Sequence, residues 1–337
     1  METNRKVLLT APVSGIPQPE NFRVVEASLP VPKAGEILVR HIYLSLDPYQ
    51  RAAMSGAHPT AERAVQENEA PPAETIGQII TSRHQDFAEG EYVRHAGGWQ
   101  EYSTVNADQA VKVDPALAPL STYLGILGMP GLTAWASMVK LANVQPKQLV
   151  LVSAASGPVG SMVGQIAIQL GAKAFGIAGS DDKCRFVVDE LGFSGCVNYK
   201  APDYPASLIK LMPDGVNIYH DNVGGQMLTD AFGVLKNYGT VILCGLISQY
   251  NTAQKGQGFN MALPILKRAV MKGLVVYDYE DRRTEFFNQV APWVRDGKIK
   301  YREDRVNGIE QTGVHFSKLM HGDNFGKALV VTGPETL

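Results

Sequence analysis

Residues 149–170 read LVLVSAASGPVGSMVGQIAIQL, and this stretch decides the fold. Leu149–Val152 is an unbroken apolar run, too short for a helix and suited to a strand covered on both faces. Beyond the turn, Val159, Met162, Val163, Ile166, Ala167 and Leu170 recur at alternating steps of three and one, which is one face of a helix. Between strand and helix lies Ala155-x-Gly157-x-x-Gly160, the dinucleotide fingerprint with alanine in its first place. Gly157 lets the backbone approach a pyrophosphate, and Gly160 and Gly164 let the helix settle close on the sheet. Pro158 fits the first helical turn, where its missing N–H costs nothing. The helix start then turns free N–H groups and the positive end of its dipole toward phosphate. A glycine triplet alone also serves tight structural turns; the strand before and the amphipathic helix after favour the cofactor reading.

Outward from this unit the pattern repeats. AKAFGIAG, GCVNYK, VNIYHDNVGG, GTVILCGLIS and GLVVYDY each read as a strand followed by a helical stretch. Such alternation predicts a parallel sheet with helices on both faces, a Rossmann-type doubly wound α/β domain. Residues 1–115 differ: KVLLT, FRVVEAS, EILVRHIYLSL, TIGQII, EYVRH, WQEYSTV and AVKV are short, β-branched or alternating, and punctuated by Pro, Gly, Asp and Asn. They predict a barrel-like β domain. Residues 56–74 are polar and rich in Ala, Glu and Pro, the composition of an irregular, mobile loop. The last stretch, KIKYREDRVNGIEQTGVHFSKLMHGDNFGKALVVTG, holds a strand, a helix and a strand; periodicity leaves open which domain it completes.

A chain that binds NAD usually ends its second strand in an acid, which grips both ribose hydroxyls and repels an added 2′-phosphate. Here the strand ends in Gly179-Ser180, with Lys183 one turn on. Lys183 would pair with a 2′-phosphate and Ser180 would donate to it; Tyr199 and Lys200, after the third strand, would complete the pocket. This favours NADP. The competing reading makes Lys183 a solvated helix lysine and Ser180 only a helix N-cap. If the strand ends one residue later, Asp181 becomes the NAD acid.

The 337 residues are 45% hydrophobic and 19% charged, with net charge −2, an ordinary soluble composition with room for two domains. No Lys/Arg run marks a nucleic-acid surface. No apolar run reaches the roughly 18 residues of a membrane span, and the N-terminus lacks a signal-peptide pattern, so a cytoplasmic location is expected. Cys184, Cys196 and Cys244 are odd in number and widely spaced, which supports neither a disulfide framework nor a thiolate metal site. The first 150 residues hold no cysteine, and His41, His58, His84 and His95 show no metal-ligand spacing. No metal is expected, and the chemistry falls to a nicotinamide and to oxygen donors.

The stretches AASGPVGSMVGQIA, GMPGLTAW, GSDDK, NYK, DNVGG and CGLISQYN, with SLDPYQRAAM in the first domain and FGKALV near the end, together resemble the zinc-free medium-chain dehydrogenase/reductase superfamily. The resemblance spans nearly the whole chain and points to the branch of prostaglandin reductases, plant alkenal double-bond reductases and bacterial NADPH-dependent curcumin reductases. It implies a GroES-like β domain over residues 1–125, a Rossmann domain over 126–301, and a return to the first domain over 302–337. Zinc-bearing relatives place a Gly-His-Glu where this chain has Pro72-Ala73-Glu74, so the histidine is absent.

The family reaction reduces a carbon–carbon double bond conjugated to a carbonyl, with hydride delivered to the β-carbon. An enolate-like oxygen gains charge and needs a donor, and the α-carbon needs a proton. A phenol donates without being ionised at neutral pH. The resemblance implies Tyr49 at the substrate and Tyr250 beside cofactor ribose and substrate, as the catalytic candidates; either is otherwise a packed interface tyrosine. Tyr277 and Tyr279 are read as core or cleft wall within a strand. As cofactor contacts it implies Met129, Gly131, Thr133, Asn222, Cys244, Ile247 and Asn324, beside the turn residues Ala155, Gly157, Pro158, Val159 and Gly160 and the pocket residues Gly179, Ser180, Lys183 and Tyr199. Cys244 is read as a small buried neighbour of the dinucleotide and not as a nucleophile. Gln50 stands where many relatives have methionine. A homodimer is expected from the family, and the expected substrate is a small conjugated carbonyl. An NADPH:quinone reductase and a non-catalytic NADPH sensor are the alternative readings.

Overall fold

Alternating burial along short strands builds the first unit. The computed structural model describes residues 3–56, 63–251 and 258–335. The chain divides into one unit of Met1–Leu124 with Glu303–Leu337 and a second of Gly125–Arg302. In the first, β1 (Thr3–Leu9) and β2 (Phe22–Ser28) form an antiparallel ribbon. The spine is β3 (Glu36–Ser45), almost wholly buried, followed by the short helix α1 (Tyr49–Met54). Antiparallel to β3 run β4 (Thr75–Ser82) and β6 (Tyr102–Asn106); β5 (Tyr92–His95) extends the sheet from β4, and β7 (Val111–Val113) from β5. Ile37, Val39, Ile79, Val93 and Ala107 pack as one apolar cluster of this sheet. Of the polar stretch 56–74, residues 57–62, His58 among them, lie outside the described residues; 63–74 form neither helix nor strand, and Arg63 pairs with Glu69 at 2.7 Å.

The second unit alternates as its sequence predicts. In order come α2 (Met129–Trp135), β8 (Leu149–Ser153), α3 (Pro158–Gln169), β9 (Lys173–Ala178), α4 (Asp181–Arg185), β10 (Gly195–Asn198), α5 (Tyr204–Leu211), β11 (Val216–Asp221), α6 (Gly225–Val234), β12 (Leu235–Leu243), α7 (Ala262–Lys267), β13 (Val270–Gly273) and α8 (Arg283–Arg295). The strands are parallel in the order β10-β9-β8-β11-β12-β13. The chain therefore winds outward from β8 to β10, returns to β8's other side at β11, and winds away again. That reversal opens a crevice at the carboxyl ends of β8 and β11, where α/β sheets bind ligands. Leu151, Ile177, Tyr219 and Val241 from four strands pack with Leu208, Leu228 and Phe232 in the core. No helix among the described residues is long and apolar enough to cross a membrane.

The tail forms β14 (Glu303–Asn307), α9 (Thr312–His321) and β15 (Lys327–Val331). β15 pairs antiparallel with β3, Leu329 opposite Ser45, so the tail lies in the first unit.

Three local expectations need correction. GLVVYDY holds only the end of its strand: β13 begins earlier, at Val270, and ends at Gly273, the last ladder bond runs from Leu274 N–H to Leu243 O where β12 ends, and Val276–Arg282 coils into a 3-10 helix. Tyr277 and Tyr279 thus lie on that turn, outside any strand. Gly164 does not serve the helix–sheet approach; a Cβ there would lie 1.9 Å from Cζ of Phe193, the ring that fills its place. And α3 is buried on more than its apolar face, because Gln165 exchanges two hydrogen bonds with the Lys300 backbone, at 2.7 and 2.9 Å.

Candidate functional site

The turn after β8 is built around short side chains. Ala154 holds φ at +50°, the left-handed region that favours glycine. A Cβ on Gly160 would stand 2.3 Å from Ala154 O, so only glycine closes this turn. Ala155 is fully buried and its N–H donates to Ile177 O at 3.0 Å, tying the turn to β9. Gly157 is the N-cap of α3, no side chain caps the helix, and Pro158 takes its first position. Val159 follows, half-buried. The uncapped start of a helix of 12 residues faces the crevice end of the sheet.

At the end of β9 the strand stops at Ala178, and Gly179 carries the chain to Ser180. Ser180 Oγ accepts the Lys183 N–H at 3.3 Å, so it is the N-cap of α4. An accepting hydroxyl keeps its own proton to donate. Asp181 is the first helical residue, not a strand end, and its Oδ1 accepts from Asn198 Nδ2 at 2.9 Å. Asp182 is paired with Arg185. Tyr199 N–H donates to Ala178 O at 3.0 Å, and its ring comes so close that a Cβ on Gly179 would lie 3.2 Å from Cε1. Gly179, Ser180 and Tyr199 therefore adjoin at a strand end that bears no carboxylate, and the Lys183 backbone follows within the first turn of α4.

The ends of β11 and β12 are knitted to β8. Asp221 is fully buried and accepts from Tyr219 Oη at 2.8 Å, Ser153 Oγ at 3.2 Å, Val223 N–H at 3.1 Å and Gly224 N–H at 3.0 Å. Burial first, then this carboxylate, raises the Tyr219 phenol well above its ordinary pKa. Asn222 donates its backbone N–H to Ser153 Oγ and its side-chain amide to Ser153 O, both at 2.8 Å. Cys244 N–H bonds Asp221 O at 2.9 Å and Ile247 N–H bonds Asn222 O at 3.5 Å. Burial pushes the Cys244 thiol up to about 12, so it stays protonated and is no nucleophile. Tyr250 Oη accepts Leu246 N–H at 3.2 Å, and burial raises its pKa, leaving a neutral phenol with a proton to give.

The remaining candidates sit elsewhere. On α2, which packs against α3, Thr133 Oγ1 donates to Met129 O at 2.7 Å. Gly131 is a packing glycine as well: a Cβ would lie 1.9 Å from Ile126 O. Tyr49 opens α1 in the first unit, and Asn324, also in that unit, donates its side-chain amide to Gly326 O at 2.9 Å. Gln50 is fully buried and donates to Ser45 O at 2.8 Å, so it braces the loop below Tyr49. Glu74, the surviving acid of the Pro-Ala-Glu triplet, is paired with Arg94.

Sequence reasoning missed Ser153 and Asp221, which join β8 to β11 from below the crevice. An acid closing the buried strand β11 was their available signal. It also found no cysteine pair, yet Cys184 and Cys196 Sγ atoms stand 3.0 Å apart; eleven intervening residues hid a contact made only by packing α4 on β10.

Two family models match the chain: an N-terminal domain of oxidoreductase over residues 5–113 and a zinc-binding dehydrogenase over 158–294. The chain is 35% identical over 335 residues to an NADPH-dependent curcumin reductase of Escherichia coli (strain K12), covering 98% of this chain and 97% of that protein. It is 36% identical over 342 residues to a 2-alkenal reductase (NADP(+)-dependent) of Nicotiana tabacum, covering 99% and 98%. Among solved structures, CurA of Vibrio vulnificus in complex with NADPH superposes with a TM-score of 0.93 at 37% identity, covering 98% of this chain and 99% of that one.

Proposed function

The chain belongs to the medium-chain dehydrogenase/reductase superfamily, in the branch of prostaglandin, alkenal and curcumin reductases, and from that membership we infer that it reduces the double bond of α,β-unsaturated ketones and aldehydes with NADPH. The observation that carries this reading is end-to-end identity at 36% with a relative named for 2-alkenal reduction. The notch at the end of β9 fits the cofactor. It offers a 2′-phosphate the Ser180 hydroxyl and the Lys183 ammonium, and its nearest acids are engaged by Asn198 and Arg185. The uncapped start of α3 suits the pyrophosphate.

When bound, NADPH supplies the hydride for the β-carbon. The chain's own part is to stabilise oxyanion charge at the carbonyl and to admit a proton at the α-carbon. We assign the oxyanion donor to Tyr49. Tyr250, a neutral phenol beside the β12 end, is assigned to ribose contact and substrate orientation. Met129, Gly131, Thr133, Ala155, Gly157, Pro158, Val159, Gly160, Gly179, Tyr199, Asn222, Cys244, Ile247 and Asn324 complete the proposed cofactor contacts.

The reading is of a zinc-independent, cytoplasmic homodimer. Glu74 committed to Arg94 supports the first, three free thiols the second. The third is supported by β13 at the sheet edge, with Val270 and, nearby on α7, Ile265 and Leu266 exposed. The test is a panel of enones, enals and quinones with NADPH absorbance followed. Turnover of the conjugated ketones and aldehydes is expected; activity on quinones alone, or NADPH binding with no turnover, overturns the reading.

A further inference from the structure

We propose that Cys184 and Cys196 are a reversible dithiol/disulfide site, oxidised by a hydroperoxide, that ties helix α4 to strand β10 and so alters the adjacent notch. The Sγ atoms are 3.0 Å apart, with Cys196 donating its S–H to Cys184. Closing to a bond takes about 1 Å of approach. The two thiols arrive from different elements. Cys184 is the fourth residue of α4, and Cys196 is the second of β10, opposite Gly176 of β9. Gly176 leaves the room: Cys196 Sγ stands 3.1 Å from where a Cβ there would be.

The pair is asymmetric. Both residues are half-buried. The Cys196 hydrogen bond holds the Cys184 thiol below its ordinary pKa, while the same bond and burial raise Cys196. Cys184 is therefore the thiolate that meets the oxidant, and Cys196 resolves it. Cys184 thiolate attacks one peroxide oxygen; the O–O bond breaks, giving Cys184–SOH and hydroxide, which takes up the proton that Cys184 had lost and becomes water. Cys196 sulfur then attacks the Cys184 sulfur, the S–OH bond breaks, and the Cys196 proton leaves with hydroxide as a second water. The balance is two thiols and one hydroperoxide to one disulfide, water and the reduced oxidant (water for hydrogen peroxide, an alcohol for an organic hydroperoxide). A thiol reductant reverses it.

The consequence for the notch rests on the dinucleotide reading above, whereas the disulfide itself does not. Ser180 and Lys183 ride on α4, and Tyr199 and the Asn198 partner of Asp181 follow β10. Drawing α4 toward β10 shifts one set against the other, so oxidation changes the KM for NADPH.

The test treats the full chain with stoichiometric hydrogen peroxide, alkylates, and maps peptides without reductant. The expected result is a Cys184–Cys196 crosslinked peptide, loss of two of the three free thiols with Cys244 still alkylatable, and full recovery with dithiothreitol. Cys184 found as sulfinic acid with Cys196 alkylated, or all three thiols remaining, would overturn the proposal. With Cys196→Ser, dimedone should trap Cys184 as a sulfenic acid; no adduct there overturns the assigned order of attack. For the coupling, the KM for NADPH of the oxidised chain should differ at least about twofold from the reduced one and return with dithiothreitol; an unchanged KM with the disulfide in place overturns it.

Discussion

Lys327 Nζ lies 2.5 Å from Asp47 Oδ1, and the two side chains are only 3% and 7% exposed. They are 280 residues apart in sequence. Lys327 also donates to Leu46 O at 3.0 Å, and the Ser45 hydroxyl donates to the other Asp47 oxygen. Gln50 N–H bonds Asp47 O at 3.1 Å. β15, the strand of the returning tail that pairs with β3, thus pins, from inside, the loop that starts α1 at Tyr49. Two motifs that the family resemblance noted separately, SLDPYQRAAM and FGKALV, are the two halves of one buried ion pair.

Removing one partner strands a charge. Lys327→Met leaves the buried Asp47 carboxyl without its ammonium partner, which costs about 3–5 kcal/mol of unfolding free energy. Urea unfolding of the variant against the unmodified chain measures it. Lys327→Met with Asp47→Leu should recover much of the loss, because neither charge then remains. A single variant within about 1 kcal/mol of the parent would show that the pair does not hold the loop.

The loop so pinned presents Tyr49. If its phenol stabilises the developing oxyanion, Tyr49→Phe removes a hydrogen bond made mainly in the transition state. The expected loss in kcat/KM for a conjugated ketone exceeds tenfold, about 1.4 kcal/mol, with little change in the KM for NADPH. Steady-state kinetics with each substrate varied reads both numbers; an unaltered kcat/KM removes Tyr49 from the mechanism.

Two glycines of α3 separate packing from binding. At Gly164, about one helical turn beyond Gly160, an added Cβ meets the buried Phe193 ring at 1.9 Å and no atom of the β8 turn is among its three nearest. Gly164→Ala should therefore cost about 1–3 kcal/mol of stability and leave the KM for NADPH near its parent value. At Gly160 the added Cβ meets Ala154 O at 2.3 Å, in the turn itself. Gly160→Ala should raise the KM for NADPH as well as lower stability. Equal effects of both variants on that KM would mean that the turn does not shape the pyrophosphate site.

What could be read beforehand was what short-range pattern encodes. The β8 strand, the glycine turn and α3 were legible because their signals lie within 22 consecutive residues. The stop of β9 before Ser180 was legible for the same reason. GLVVYDY misled because its valines and tyrosines favour a strand, while the sheet it would join had ended at Leu243. Gly164 was assigned to the sheet because its true neighbour, Phe193, arrives only after two further elements. The Lys327–Asp47 and Cys184–Cys196 contacts are tertiary, and no spacing rule reaches either.

Buried neutral histidines make stability depend on pH. Burial lowers His41 to about 4, its Nδ1 2.7 Å from Gln100 O and its Nε2 2.8 Å from Ser103 Oγ. Burial lowers His220 to about 3. Unfolded, each titrates near 6.5. Below that value and above the folded ones the unfolded chain binds more protons, so stability rises with pH there. It is fully present above about 6.5 and lost as pH falls toward 4, by up to about 1.4 kcal/mol per pH unit for each histidine. The urea midpoint should fall between about pH 7 and pH 5, and His41→Gln should flatten that fall. A midpoint independent of pH across the window would contradict the neutral, buried assignment.

Cofactor choice rests on the notch after β9. An NAD-selective site needs a carboxylate at the ribose, and here the strand end is Ala178-Gly179-Ser180. Ser180 spends a lone pair on capping α4, which leaves its proton, but Lys183 is the group that brings positive charge. In the proposed site its attraction would act on the 2′-phosphate and on nothing that NADH carries. Lys183→Ala should raise the KM for NADPH about tenfold or more, the cost of one charge-assisted contact, and barely move that for NADH. Because both cofactors share pyrophosphate and nicotinamide, damage to the β8 turn or to the fold weakens both alike, and only loss of the phosphate contact separates them. The ratio of kcat/KM values for the two cofactors, in parent and variant, is therefore the number to measure. Equal weakening would place Lys183 outside the phosphate site, and a parent enzyme that already prefers NADH would show that Asp181 turns from Asn198 to the ribose.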